Sequence, residues 1–288
     1  MRIAIIGGNL TGLALAHMFL DSDHSVEITV IEERAEIGFP CKSPGILYNS
    51  DLWKSYFQDW GVSINEVGNS LDDGSVSFRR AWLEKDISLS LVEKGASILL
   101  RTRVEENDEV SLKLQGAGGS THWDGDLVIN IPEHEPGVYS WTGMVTSQEV
   151  LGGWPRDDGT WETWIKTPPQ MSSDSQKTQD TDIFLEVMET NFLSFESTTI
   201  DGSLTRAVVL FDELSKLHYL LKIFQKIYYN ECLPFLPHLA KLITSKTRLV
   251  SRPPPKWTKR LLNIQSTFRR SDANWAALKT KAEKEEAK

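Results

Sequence analysis

Few cysteines, no long apolar run and no metal-ligand spacing are present, and each absence removes a class of protein. Two cysteines in 288 residues, Cys41 and Cys232, cannot build a disulfide framework and suit a reducing, cytoplasmic setting. No apolar stretch reaches the roughly eighteen residues of a membrane span. The 6 histidines are scattered and neither cysteine has a CxxC partner, so no metal site is expected. A G-x-S-x-G turn and a G-x-x-x-x-G-K-[ST] loop are also missing. What remains is ordinary globular composition, 40% hydrophobic and 25% charged, enough for one large core or two modest ones. The apolar N-terminus is expected to be a buried strand and helix with no signal peptide in front, because Asn9, Thr11 and His17 interrupt it.

The net charge of -9 is unevenly spread. Residues 216–288 hold 16 Lys/Arg against 5 Asp/Glu, a surplus of +11, whereas residues 1–215 carry -20. Two readings are open: the basic helices dock on the acidic body, or they touch an anionic surface such as lipid headgroups. Nucleic acid is not expected, because no recognition motif accompanies the charge.

The first thirty-three residues organise the rest. Ile3 to Ile6 is an apolar run that stops at Gly7 and Gly8. Leu13, Leu15, Ala16, Met18 and Phe19 then open an apolar-periodic segment, and Val26 to Ile31 is a β-rich run ending at Glu32 and Glu33. The order strand, glycine turn, helix, strand, acid is that of a dinucleotide-binding βαβ unit. Gly7 permits a tight turn and Gly12 permits close helix–sheet packing. The turn Asn9-Leu10-Thr11 would offer amides and the helix dipole to a pyrophosphate, and Glu32 would accept from a ribose. Asn9 stands where the motif wants its second glycine, which leaves less room for phosphate.

The next stretch, Glu32-Glu33-Arg34-Ala35-Glu36-Ile37-Gly38-Phe39-Pro40-Cys41-Lys42-Ser43-Pro44-Gly45, reads Glu-x-Arg-x-x-Ile-Gly-x-Pro followed by Cys and Gly. It resembles the segment after the second strand in FAD-dependent oxidoreductases of the geranylgeranyl reductase type. The resemblance implies that Arg34 lies near FAD and Cys41 near the substrate or flavin; an ordinary buried thiol is the alternative for Cys41. It also covers residues 75–131, where a short strand Ser75 to Phe78, a helix from Arg79 to about Glu93 and a strand Ala96 to Arg101 follow in the family's order. There Arg79 or Arg80 would help hold the cofactor. Within residues 136–166, Pro136-x-x-Tyr139-x-Trp141 and Trp154-Pro155-Arg156-Asp157-Asp158-Gly159 are similar to the family's substrate-side sheet. Tyr139 and Trp141 would then face an apolar substrate, although such tryptophans also serve simply to fill a small core.

Elsewhere Asp51 to Trp60 predicts a helix with Leu52, Tyr56, Phe57 and Trp60 on one face. Val104 to Leu114 and Thr121 to Trp123 predict antiparallel strands, and Asp126 to Ile131 a parallel one. Residues 168–182 are expected to be disordered, Ile183 to Phe192 is ambiguous, and 252–256 reads as a polyproline linker. Ala207 to Glu213 is expected to be the last cofactor strand, with Asp212 at its end contacting the ribityl chain as the resemblance implies. Two glycines that the family would supply are missing, one after Ile129, where Asn130 to Glu133 follow, and one at Phe211.

The expected architecture is α/β: a Rossmann-like FAD/NAD(P)-binding fold with a parallel sheet, a smaller antiparallel substrate sheet and a helical C-terminal region. Expected divisions are 1–135 for the nucleotide domain, 136–206 for the substrate-side sheet, and 207–288 for the last cofactor strand and basic helices. Three functions fit this sequence: an FAD-dependent oxidoreductase acting on an isoprenoid or other apolar substrate, a divergent binding module or scaffold that has lost tight FAD binding, and an NAD(P)-binding protein. The flavin would carry the redox chemistry, so no catalytic acid, base or nucleophile is named.

Overall fold

The computed structural model describes residues 1–108, 110–133, 137, 139–167 and 184–229, with side chains to Lys216 in the last segment. The polar stretch 168–182, the linker 252–256, Cys232 and the basic end of the chain lie outside the described residues.

The chain starts with strand β1 (Arg2–Ile6), helix α1 (Leu10–Ser22) and strand β2 (Glu27–Ile31). Ile3, Ala4 and Ile5 are wholly buried, as expected of an interior parallel strand covered on both faces. Helix α1 is buried from Leu10 to Leu20, the mark of a helix enclosed on all sides. Strand β3 (Ile46–Leu47), helices α2 (Ser50–Asp59) and α3 (Ile64–Val67), and strands β4 (Gly68–Ser70) and β5 (Val76–Phe78) follow. In α2 the buried face is Trp53, Phe57 and Trp60, spaced one helical turn apart, while Leu52 is 63% exposed. Helix α4 (Arg80–Glu93) buries Leu83, Ile87 and Leu91, and leads into strand β6 (Ser97–Leu99).

The segment expected to hold one strand from Val104 to Leu114 is instead a hairpin. Strands β7 (Arg103–Asp108), β8 (Ser111–Gly116) and β9 (Gly119–Asp124) form an antiparallel meander, before strand β10 (Leu127–Asn130) returns to the centre. The central sheet has the order β10-β1-β2-β6, with β1 parallel to both neighbours and Ile3 in register with Leu127 and Ile28. Alternation sorts its side chains. Ile3, Ile5, Ile28, Val30 and Ile129 meet the helices, and Ala4 and Ile31 meet Leu112, Leu114 and Trp123 of the meander.

Strands β11 (Tyr139–Thr146), β12 (Trp154–Pro155), β13 (Trp161–Thr167) and β14 (Phe184–Phe192) make a second, antiparallel sheet in the order β12-β13-β11-β14. The ambiguous segment is thus an edge strand over its described residues, Phe184–Phe192. A short 3-10 turn (Glu196–Thr198) leads to helix α5 (Ile200–Tyr229).

Helix α5 corrects the expectation for Ala207 to Glu213. These residues are the middle of a helix, and no strand exists there. Ile200, Leu204, Ala207 and Leu214 are buried at helical spacing, while Val209 is 51% exposed, so burial is not continuous. The same four residues belong to the core that contains α1 and the central sheet. Helix α5 therefore completes the first core. Among the described residues, no helix is long and apolar enough to cross a membrane.

Candidate functional site

A groove of about 650 Å³ opens above the carboxyl ends of β1, β2 and β10, where the strand order reverses around β1. Five of the expected residues line it: Gly7, Asn9, Glu32, Glu33 and Arg34. Gly7 carries φ +118, and a Cβ there would stand 2.2 Å from the Ile131 carbonyl oxygen, so the turn requires glycine. Gly12 is the third residue of α1; a Cβ on it would be 2.1 Å from the Gly7 oxygen. Leu10 and Thr11 sit behind the turn, buried, with Thr11 Oγ1 donating to the Ser203 carbonyl of α5 at 3.2 Å.

Asn9 replaces the missing glycine and does structural work. It is the N-cap of α1: its Oδ1 accepts from the Gly12 amide at 3.1 Å and its Nδ2 donates to Ile131 O at 3.0 Å. Leu13 N bonds Asn9 O at 3.0 Å. Of the four amides that begin the helix, those of Gly12 and Leu13 are thus bonded at the cap.

Glu32 is 6% exposed and accepts from the amides of Gly8 and Arg34, both at 2.8 Å, and from the Arg34 guanidinium. Burial alone would raise its carboxyl, but the side-chain and backbone bonds from Arg34 outweigh that, and it titrates below the usual carboxylate range. Arg34 is held up in turn: burial would lower it, and the bonds to Glu32 dominate. Glu133 stands at the rim, 3.5 Å from Arg34 Nη1, with its carboxyl pushed up by desolvation against the pull of Arg34.

The other wall comes from residues that local spacing did not mark: Thr102, Arg103, Glu105 and Asn107. They reach the groove because the Arg101 and Thr102 amides bond Arg34 O and Glu32 O at 2.9 and 3.0 Å. Arg101 turns the chain there with φ 50. The lining holds four carboxylates (Glu32, Glu33, Glu105, Glu133) against two guanidiniums (Arg34, Arg103).

Cys41 and Arg79 belong to a second cavity, lined also by Phe39, Ser43, Arg80, Arg156 and Met188. Its volume is about 30 Å³, room for ordered water and no more. The Cys41 thiol donates weakly to Ser43 O at 3.6 Å, and burial pushes it up to about 12. Arg79 is 40% exposed, stacked on Trp82 and 3.7 Å from Asp158. Arg80 is the buried member of the pair: it bonds Glu84 at 3.0 Å, Pro44 O at 3.0 Å, Thr198 O at 2.5 Å and Ser203 Oγ at 2.8 Å. The facing sheet contributes Glu162, wholly buried, which accepts from Gly45 N at 3.1 Å, Trp164 Nε1 at 2.6 Å and Arg156 Nε at 2.8 Å. Two buried ion pairs therefore clamp the Ser43–Gly45 loop from opposite sides.

Three expected site residues lie elsewhere. Asp212 is on the exposed side of α5, not at the end of a cofactor strand. Tyr139 is 44% exposed with Lys166 Nζ 3.4 Å from its ring centre, and Trp141 packs on Phe195 at 5.3 Å. Neither lines the Cys41 cavity. Among the described residues there is no group of three or more His, Cys, Asp or Glu placed to hold a metal.

The groove's volume lies within the range of ligand pockets, and its lining has the glycine turn and the acid that would hold an adenosine diphosphate group. An isoalloxazine ring does not fit the cavity beside Cys41.

No protein-family profile and no curated protein sequence matches the chain. Solved structures do. A geranylgeranyl bacteriochlorophyll reductase-like protein from Thermoplasma acidophilum is similar with TM-score 0.52 and 12% identity, over 87% of this chain and 88% of that one. The p-nitrophenol 4-monooxygenase of Pseudomonas putida DLL-E4 is similar with TM-score 0.54 and 9% identity, over 90% and 91%. A Diels-Alderase from the biosynthetic pathway of pyrroindomycins gives TM-score 0.54 and 11% identity, over 93% and 76%. Together with the βαβ turn, the parallel sheet and the antiparallel sheet beside it, these give the chain a Rossmann-type fold of the FAD/NAD(P)-binding kind.

Proposed function

We propose that this protein binds FAD by its adenosine diphosphate half and belongs, in function as in fold, with the flavin-dependent oxidoreductases. The observation that carries the reading is the groove at the ends of β1, β2 and β10, with Gly7 under it and Glu32 at its side. The N-terminal end of α1, reached through the Gly7 turn, would face the diphosphate, and Glu32 would meet the ribose. A bound flavin would supply the electron transfer. With no room for the ring beside Cys41, no reaction step is assigned to any side chain.

That narrow cavity favours a second reading, a binding module that uses the nucleotide half without redox chemistry. The similar Diels-Alderase makes the same point about the fold, since its name is not that of an oxidoreductase. An apolar substrate, isoprenoid or otherwise, remains the proposal for the enzyme reading; NAD(P) is an alternative ligand. Peripheral contact with anionic lipid rests on the +11 surplus from Lys216 onward.

The test is the visible absorbance spectrum of the purified protein, followed by titration with FAD, ADP and NAD. FAD and ADP are expected to bind about equally, because only the shared half is gripped. FAD binding far more tightly than ADP would show that the ring end opens. No binding of any of the three at millimolar concentration would end the nucleotide reading.

A further inference from the structure

A carboxylate has about four lone-pair positions, and on Glu32 all four are taken by the protein itself. Oε1 accepts from the Arg34 amide at 2.8 Å and from Arg34 Nε at 3.1 Å; Oε2 accepts from the Gly8 amide at 2.8 Å and from Arg34 Nη2 at 3.0 Å. Two of these donors are backbone amides of the folded turn and stay where they are. The other two belong to one planar guanidinium, placing one N–H on each carboxylate oxygen. A ribose 2′,3′-diol would approach a carboxylate in the same way, with one hydroxyl on each oxygen.

We propose that the Arg34 side chain occupies the ribose position of the groove and must leave Glu32 before an adenosine nucleotide with a free 2′,3′-diol can bind. The proposal rests on the nucleotide reading of the groove and goes beyond it, because it makes Arg34 a competitor of the ligand. The resemblance to flavin enzymes implies only that Arg34 lies near FAD. The surroundings supply an alternative seat. Nη1 already lies 3.5 Å from Glu133 Oε1 and 3.4 Å from Pro40 O, so the guanidinium can rotate towards the rim and keep an ionic partner. Removal of Arg34 from Glu32 frees two acceptor sites, the number that the diol needs.

The experiment is calorimetric titration of the full chain with ADP, comparing the native protein with Arg34→Ala and Arg34→Lys, each first shown by thermal melting to be folded. Lysine keeps the positive charge and loses the planar fork. Both variants are expected to bind ADP at least tenfold more tightly than the native protein, and the gain shrinks when 2′-deoxy-ADP replaces ADP. Arg34→Ala binding ADP equally or more weakly overturns the competitor role while leaving the groove a nucleotide site. A loss in Arg34→Ala that Arg34→Lys restores would assign Arg34 to charge attraction of the diphosphate, which also overturns it. No ADP binding by any of the three proteins at millimolar concentration overturns the proposal together with the nucleotide reading.

Discussion

Asn9 and Ile131 are bonded across the floor of the groove, Nδ2 to backbone carbonyl at 3.0 Å, so the helix cap also ties β1's turn to the end of β10. A glycine at that position would give the phosphate more room and would release both contacts. Asn9→Ala loses the cap and the cross-bond and should cost about 1–2 kcal/mol of stability. Asn9→Gly should cost less as a cap and bind ADP more tightly than the native protein. Denaturant unfolding and the same titration read both effects; equal ADP affinity in Asn9→Gly would mean that the asparagine does not crowd the phosphate.

His17 gives an acid-sensitive core. It is fully buried, stacked on Trp60 at 5.1 Å, with Nε2 against Ile87 O at 3.0 Å. Burial lowers it from 6.5 to about 4, ahead of opposing effects from the Ile87 bond and Asp21 and a further lowering by Lys94. The native state holds the neutral ring, whereas the unfolded chain takes up a proton below about pH 6.5. Stability therefore falls as pH drops from about 6.5 towards 4, by about 3 kcal/mol for this group. His17→Gln keeps an N–H donor and removes the titration. Its unfolding free energy should lose less than the native protein's over that range, and parallel pH profiles would refute the assignment.

Glu162→Gln leaves the Arg156 guanidinium without its counter-charge at a site only 8% exposed, and should destabilise by about 3–5 kcal/mol. A paired replacement, Arg156→Met with Glu162→Gln, should recover much of that loss, because no charge is then stranded and the glutamine oxygen still accepts from Gly45 N and Trp164 Nε1. Chemical denaturation measures both. A cost below about 1 kcal/mol in the single variant would mean that solvent reaches the pair.

With its thiol pushed up to about 12, Cys41 should be inert in the native protein. Iodoacetamide at pH 8, followed by peptide mass spectrometry, should find it unmodified until the chain is unfolded. Rapid native labelling would show that the 39–43 loop moves away.

The parallel sheet was legible because Ile3–Ile6, Val26–Ile31, Ala96–Leu100 and Leu127–Ile131 are short apolar runs punctuated by glycine and helical periods. All four contribute to it, with Gly12 in the first turn of α1. Ala207–Glu213 was not legible. Seven apolar and acidic residues fit a strand as well as a helix, and the deciding partners, α1 and the core beneath it, are some two hundred residues away in sequence. Sequence order left Arg79 and Arg80 as equal candidates, because the acceptors that single out Arg80, at Pro44, Thr198 and Ser203, come together only in the fold. The glycine turn and Glu32 announced a nucleotide site. That Arg34 turns back on Glu32 could not be read, because two residues at a strand end share no fixed face once the chain bends.

The antiparallel sheet leaves the first core after Ile131 and the chain rejoins it at Ile200, and the two junctions are neighbours: Arg206 Nη1 donates to Pro132 O at 3.4 Å. In topology the sheet is an insertion, and shuffling or grafting experiments would treat it as an exchangeable cassette. Its energetics say otherwise. Glu162 supplies an acceptor to Gly45 of the first core's loop, so a transplanted cassette must bring a buried acid at that point of β13 and a counter-ion for it. Outward positions such as Ile165 and Val187, 53% and 56% exposed, carry no such obligation and can be changed without disturbing that contact.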